Sequence, residues 1–169
     1  SLIKQGNLFD VDKINEEREQ IARLLRNHGY FNFRKELLLF YVDSTLNTNE
    51  IDAELSIQPQ YLDNDSALQI IFSKKRIDNT TIIALKDNDI SNISNLQLDT
   101  TYVNNIKIIY NTKNKAFRPK AIANKISIIP NILYSDFAVE RTYSHLNSLS
   151  AAKYVNISFS ENLNNNLDA

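Results

Sequence analysis

Cysteine, methionine and tryptophan are absent from the 169 residues, and glycine occurs only twice. Without cysteine there are no disulfides, no thiolate metal sites and no cysteine nucleophile. Gly6 and Gly29 alone cannot build a G-x-G-x-x-G turn or a phosphate loop, because those backbones need several residues without a Cβ. Most cofactor-binding enzymes are thereby disfavoured, and no cofactor is expected. Charge of one sign is lacking too: 19 Lys and Arg against 20 Asp and Glu leave a net charge of −1. Nucleic acid and anionic membrane surfaces both demand a basic footprint, so no nucleic acid is expected as a partner. No apolar run approaches the roughly 18 residues that cross a bilayer as a helix, and no basic-then-apolar leader opens the chain. A sequence that opens at Ser1 and holds no methionine reads as a fragment of a longer protein.

What is present is an ordinary globular composition, 43% hydrophobic and 23% charged. Asparagine is frequent, 23 residues, which reads as coding bias; the tail Asn162-Leu163-Asn164-Asn165-Asn166 reads as a turn. Asp10 or Asp12 can cap a helix running to Asn27-His28, with Glu16 and Glu17 near its positive end and Arg23 and Arg26 near its negative end. Ile14, Ile21, Leu24, Leu25 and His28 share one face of that helix, and Gly29 stands where a left-handed residue would end it. Leu37–Asp43 is then a continuous apolar strand. Ile51, Ala53, Leu55 and Ile57 alternate with polar residues, which predicts an antiparallel hairpin with one wet face.

Leu68–Phe72 and Thr80–Leu85 are β-rich runs around Lys74-Lys75-Arg76, and Lys86–Asp99 is a polar loop. Tyr102–Tyr110 reads as one further strand. The last third then repeats the first. Pro130-Asn131-Ile132-Leu133-Tyr134-Ser135 matches Gln5-Gly6-Asn7-Leu8-Phe9-Asp10, with Asn131 replacing Gly6 as the commonest substitute where φ is positive. Ser135 would cap a second helix with Val139, Tyr143, Leu146 and Leu149 on one face. Val155, Ile157 and Phe159 alternate with Asn156, Ser158 and Ser160, and Asn165-Asn166-Leu167-Asp168-Ala169 echoes Asn49-Glu50-Ile51-Asp52-Ala53. Two copies of helix, helix, strand, strand are expected, the first opening inside a helix at Leu2-Ile3-Lys4 and the second stopping as its final strand begins.

These residues resemble the POTRA (polypeptide-transport-associated) module, found in tandem in BamA- and TamA-type outer-membrane proteins. The resemblance is carried by Gly6-x-Leu8-Phe9-Asp10, by Leu24-Leu25-x-x-x-Gly29-Tyr30-Phe31-x-Phe33, and by Val42-Asp43-Ser44-Thr45 ahead of Ile51-Asp52-Ala53. In the second copy it is carried by Phe117-Arg118-Pro119, Ile128-x-Pro130-Asn131-x-Leu133-Tyr134-Ser135 and Tyr154-Val155-Asn156-Ile157-x-Phe159. Their wording is most similar to Bacteroidetes-type surface antigens. The resemblance implies an α+β fold of tandem β-α-α-β-β modules, each a small mixed sheet of order 1-3-2 with two helices on one face, truncated at both ends. It implies a module at 1–59 lacking its first strand, a connector with a possible β-hairpin at 60–101, and a module at 102–169 whose third strand is cut short. An open edge on the first sheet invites pairing with Leu68–Phe72.

The resemblance further implies a periplasmic region attached to the outer membrane through a C-terminal β-barrel, working in outer-membrane protein assembly or translocation. Its partners would be unfolded outer-membrane proteins, accessory lipoproteins and neighbouring POTRA modules, docked by β-augmentation. The implied edge strands are Leu37, Leu38, Leu39, Phe40, Tyr41 and Val42, and Tyr154, Val155, Ile157 and Phe159. A POTRA-bearing division or secretion scaffold is an alternative; a surface adhesin or glycan-binding module is another, requiring exposed aromatic platforms where buried rings are expected. No reaction is expected. His28 and His145 lack a ligand-spaced partner, Glu16, Glu17 and Glu19 read as a solvated helix face, and Asp63-Asn64-Asp65 and Asp87-Asn88-Asp89 lack the glycine and distal glutamate of a calcium loop.

Overall fold

The computed structural model describes residues 2–43, 51–58, 73–86, 96–113, 117–149 and 152–169. The chain is a mixed α+β protein and divides into two compact units, Ser1–Ser73 and Lys74–Ala169. The expected pairing of Leu68–Phe72, the turn after Asp43 and both Asp-Asn-Asp stretches lie outside the described residues.

In the first unit, Leu2–Lys4 is not helical, contrary to expectation; the chain turns at Gln5-Gly6 and enters α1 (Val11–Asn27). Asp10 caps α1, its Oδ1 accepting the amides of Asp12 at 3.0 Å and Lys13 at 3.4 Å. The helix ends at Gly29, φ +98°, where the Gly29 amide donates to Arg26 O and the Tyr30 amide to Leu25 O. That is the paired bonding of a Schellman motif, with Leu25 and Tyr30 both packed on the core. Ala22, Phe33, Leu37 and Leu38 form that core, flanked by Ile21. A one-turn 3-10 segment (Lys35–Leu37) leads into β1 (Leu38–Asp43), which pairs antiparallel with β2 (Asp52–Ile57). The hairpin and its alternation follow the sequence pattern. Burial does not: Leu55 and Ile57 are exposed, although Ile57 pairs in register with the buried Leu38.

The second unit begins before the expected module boundary. Residues 76–84 form a nearly continuous strand, β3 (Ile77–Asn79) and β4 (Thr81–Ala84), within the span expected to be a connector with a possible hairpin; β4 falls on the β-rich run Thr80–Leu85. Tyr102–Tyr110 is not one strand but a hairpin of β5 (Leu98–Val103) and β6 (Ile106–Asn111). Asn104 and Asn105 turn it with φ of 54° and 63°, the two successive positive values of a type I′ turn. Periodicity alone hid this turn because Asn-Asn continues a polar position without a glycine. β4 pairs parallel with β6, giving the order β4-β6-β5. Ile106, Ile108, Tyr110 and Ala123 form a core here with Ile82, Val103 and Ile126.

Two helices follow, α2 (Pro119–Ala123) and α3 (Asp136–Asn147). Pro119 opens α2 at a position where its missing N–H costs nothing. Ser135 is the N-cap of α3, although its hydroxyl makes no capping bond. β7 (Ser160–Glu161) and β8 (Leu167–Asp168) close the chain in the order β3-β8-β7, with β3 parallel to β8 and β8 antiparallel to β7.

Asn131 adopts φ 70° where Gly6 adopts 83°, so the substitution read from the repeat holds at the backbone. Its main chain is tied on both sides: its amide donates to Ile77 O and its carbonyl accepts from Arg76 Nη1. Asn131→Gly should therefore be near neutral, while Asn131→Ala should cost about 1–2 kcal/mol of left-handed strain. Urea midpoints of the two variants check this; equal midpoints would remove the strain argument.

Candidate functional site

The implied edge strands fall in different units and present different surfaces. In the first, Leu37 and Leu38 are buried, Leu39 and Phe40 half-buried, and Tyr41 and Val42 exposed. The Gln58 amide donates to Leu37 O at 2.8 Å. Antiparallel ladders alternate, so Leu37, Leu39 and Tyr41 direct their main-chain groups to β2, and Leu38, Phe40 and Val42 direct theirs outward. The Leu38 amide is taken by Lys35 O. The amides of Phe40 and Val42 have no ladder partner among the described residues, because the sheet is β1-β2 only.

In the second unit, the expected strand Tyr154–Ser160 is strand only at Ser160; residues 152–159 belong to no helix or strand. A segment becomes a strand only when a neighbour takes its amides, and among the described residues no strand is laddered to 154–159. Val155, Ile157 and Phe159 are half-buried and Asn156 and Ser158 exposed, as their alternation requires. The Tyr143 hydroxyl donates to Val155 O at 3.0 Å, and the Phe159 ring stands edge-on to Tyr134 with centroids 5.3 Å apart. Tyr154 is 78% exposed. Phe9, Tyr41, Tyr102, Phe137 and Tyr143 are exposed as well, whereas Phe33, Tyr110 and Tyr134 are buried and the other described rings half-buried, so the expected burial of most rings is met only in part among the described residues.

A groove of about 660 Å³ separates β4 from the 152–158 segment, with Ile122, Ile126, Leu146 and Leu149 among its lining.

Several charged and polar groups are structural. Glu17 is buried and accepts the Leu2 amide, so the acidic run is not uniformly a wet face. Lys75 is only 4% exposed; its ammonium pairs with Glu161 at 3.3 Å and donates to Asn165. The asparagine-rich tail joins the same network. Asn162 and Asn166 donate to the two carboxylate oxygens of Asp78, and Asn166 Oδ1 accepts the Arg76 amide. These contacts span more than 80 positions, and no local sequence signal could disclose them. The histidines are held by main-chain carbonyls, His28 Nδ1 at 2.7 Å from Leu24 O and His145 Nδ1 at 3.3 Å from Lys125 O. Among the described residues no group of three or more His, Cys, Asp or Glu is placed to hold a metal ion. Nor is any helix among them long and apolar enough to cross a membrane.

One hydroxyl has a perturbed titration. Tyr110 donates to Asp99 Oδ2 at 3.1 Å, and this bond, burial and the negative charge of Asp99 together raise its pKa above the usual tyrosine range. A raised folded-state value means the contribution is complete below about pH 10 and is lost as pH rises through the higher folded value. Tyr110→Phe should remove that alkaline loss, seen by comparing urea midpoints at about pH 8 and about pH 11 with wild type. An unchanged alkaline slope would show that Tyr110 does not carry it.

No family model matches the chain, and no curated protein matches it either.

Proposed function

We propose that the chain is the protein-binding region of an outer-membrane protein assembly or translocation factor, built from POTRA-like modules and capturing extended client strands by β-augmentation. On this reading it catalyses no reaction, lies in the periplasm and is tethered to the outer membrane through a barrel. Its clients are unfolded outer-membrane proteins or accessory lipoproteins. The observation that carries the proposal is the edge of β1, where Phe40 and Val42 direct their amides outward with no ladder partner among the described residues. An extended chain of almost any sequence can pair with such groups, which suits a partner that must accept many clients. The strand order β3-β8-β7, with its parallel and antiparallel pairings, supports the module reading as the 1-3-2 order that the resemblance implies. The β5-β6 hairpin stands outside that pattern.

Titration with a peptide carrying an outer-membrane β-strand, followed by backbone amide shifts, tests the proposal. Shifts should concentrate at Phe40 and Val42 and spare Leu39 and Tyr41. Val42→Pro removes an outward amide without touching the β1–β2 ladder, so the hairpin should persist while the shifts disappear. No response at millimolar peptide, or shifts that survive Val42→Pro, would sink it.

The exposed Tyr41, Tyr102 and Tyr154 favour the adhesin alternative only to the extent that they stack sugars. An oligosaccharide that shifted their ring protons would revive it.

A further inference from the structure

β5 lies at the margin of its sheet, and its outer side has the makings of a pairing surface. The Thr112 amide donates to Gln97 O at 2.9 Å, so Asp99, Thr101 and Val103 turn their main-chain groups to β6. Leu98, Thr100 and Tyr102 turn theirs outward, and among the described residues no strand pairs on that side. Large apolar side chains flank Thr100 there, Leu98 at 43% exposure and Tyr102 at 69%. The three outward residues are symmetric about Thr100. Two copies related by a two-fold axis would therefore pair antiparallel with Thr100 opposite Thr100, each amide donating to the other's carbonyl. Leu98 of one copy would meet Tyr102 of the other. An edge of this kind is a template for self-association unless something blocks it.

We infer that Asp99 bars the outer edge of β5 from pairing with a second copy of this chain. Its Oδ1 accepts the Thr100 amide at 2.8 Å, and its Oδ2 accepts the Tyr110 hydroxyl at 3.1 Å. Asp99 stands directly opposite Tyr110 in the β5–β6 register, so its carboxylate shares the face of the sheet that carries the core. A charge set inward on an edge strand opposes the addition of another strand. Pairing would have to break the capping bond in both copies, and at the central pair. It would also make the two Asp99 carboxylates diagonal neighbours on one face, roughly 7–8 Å apart. Tyr110 is a positioning residue: by holding Oδ2 it keeps Oδ1 over the amide. The inference concerns β5 and stands whether or not β1 captures clients.

Sedimentation of wild type, Asp99→Ala and Asp99→Ala/Thr100→Pro at matched concentrations is the test. Asp99→Ala should self-associate about tenfold or more tightly than wild type, because two charged capping bonds per dimer no longer need breaking. Adding Thr100→Pro should return association to the wild-type level, since an edge proline removes the outward amide and leaves the ladder to β6 intact. Association of Asp99→Ala no tighter than that of wild type would overturn the inference. So would association that survives Thr100→Pro. Amide exchange in wild type decides the matter without any substitution. Thr100 should be protected about tenfold more than Tyr102, whose outward amide has no partner among the described residues. Equal protection would mean that the cap is not made, and would overturn the inference as well. Amide shifts at Phe40 and Val42 report on β1 and stay independent of these results.

Discussion

Leu38→Ala lowers the stability of the first unit by about 2–5 kcal/mol, the range for emptying a fully buried leucine site. Leu38 is 0% exposed and, among the described residues, belongs to a core with Ala22, Phe33 and Leu37. Whole domains hold together by only about 5–15 kcal/mol, so a loss of this size is a large share. In urea, α1 and β1 amides should lose dispersion at a much lower midpoint than in wild type. Val42→Ala is the comparison: its side chain is exposed, and the change should stay within about 0.5 kcal/mol. A Leu38→Ala midpoint equal to that of Val42→Ala would mean that the core beneath β1 is not formed in solution. The contrast also separates two roles held by one strand. Leu38 anchors β1 through its side chain, while Phe40 and Val42 offer main-chain groups, so a client-binding defect in Leu38→Ala reports lost folding and not a lost contact.

Leu167→Ala should cost the second unit a similar amount, about 2–5 kcal/mol. Leu167 is 0% exposed, pairs in register with Ile77, and belongs to a hairpin tied to β3 through Lys75, Arg76 and Asp78. Hydrogen exchange at the Leu167 and Ala169 amides should accelerate together, because both donate to the β3 strand. A cost below about 0.5 kcal/mol would place Leu167 with ordinary surface residues. The order β3-β8-β7 would then lose its support.

The local devices could be read directly from residue types. Asp10 capping α1, Gly29 ending it, the β1–β2 hairpin and the left-handed Asn131 each depend on a few neighbouring residues, and each stands where the pattern places it. Two expectations fail for different reasons. The turn at Asn104-Asn105 is hidden in the sequence because two asparagines can adopt positive φ without any glycine to announce it. The β-rich run Thr80–Leu85 falls inside the expected connector at 60–101 because a strand whose partner is β6 carries no mark of it in its own sequence. Of the candidate site, the strand Leu38–Asp43 was legible, and which of its main-chain groups remain outward was not.

Composition and spacing by themselves determined an α+β chain without cysteine chemistry or a basic face, with helices at 11–27 and 136–147 and alternating runs that flank them. Those features depend on dihedral preference and on periods of 3.6 and 2, which act over a few residues. Tertiary structure alone decided that Lys75 and Glu17 are buried, that the asparagines of the tail bind Asp78 and Lys75, and that β8 lies between β3 and β7. Each of those outcomes joins residues far apart in the chain, where burial and hydrogen bonding are settled by which partner arrives and not by local preference.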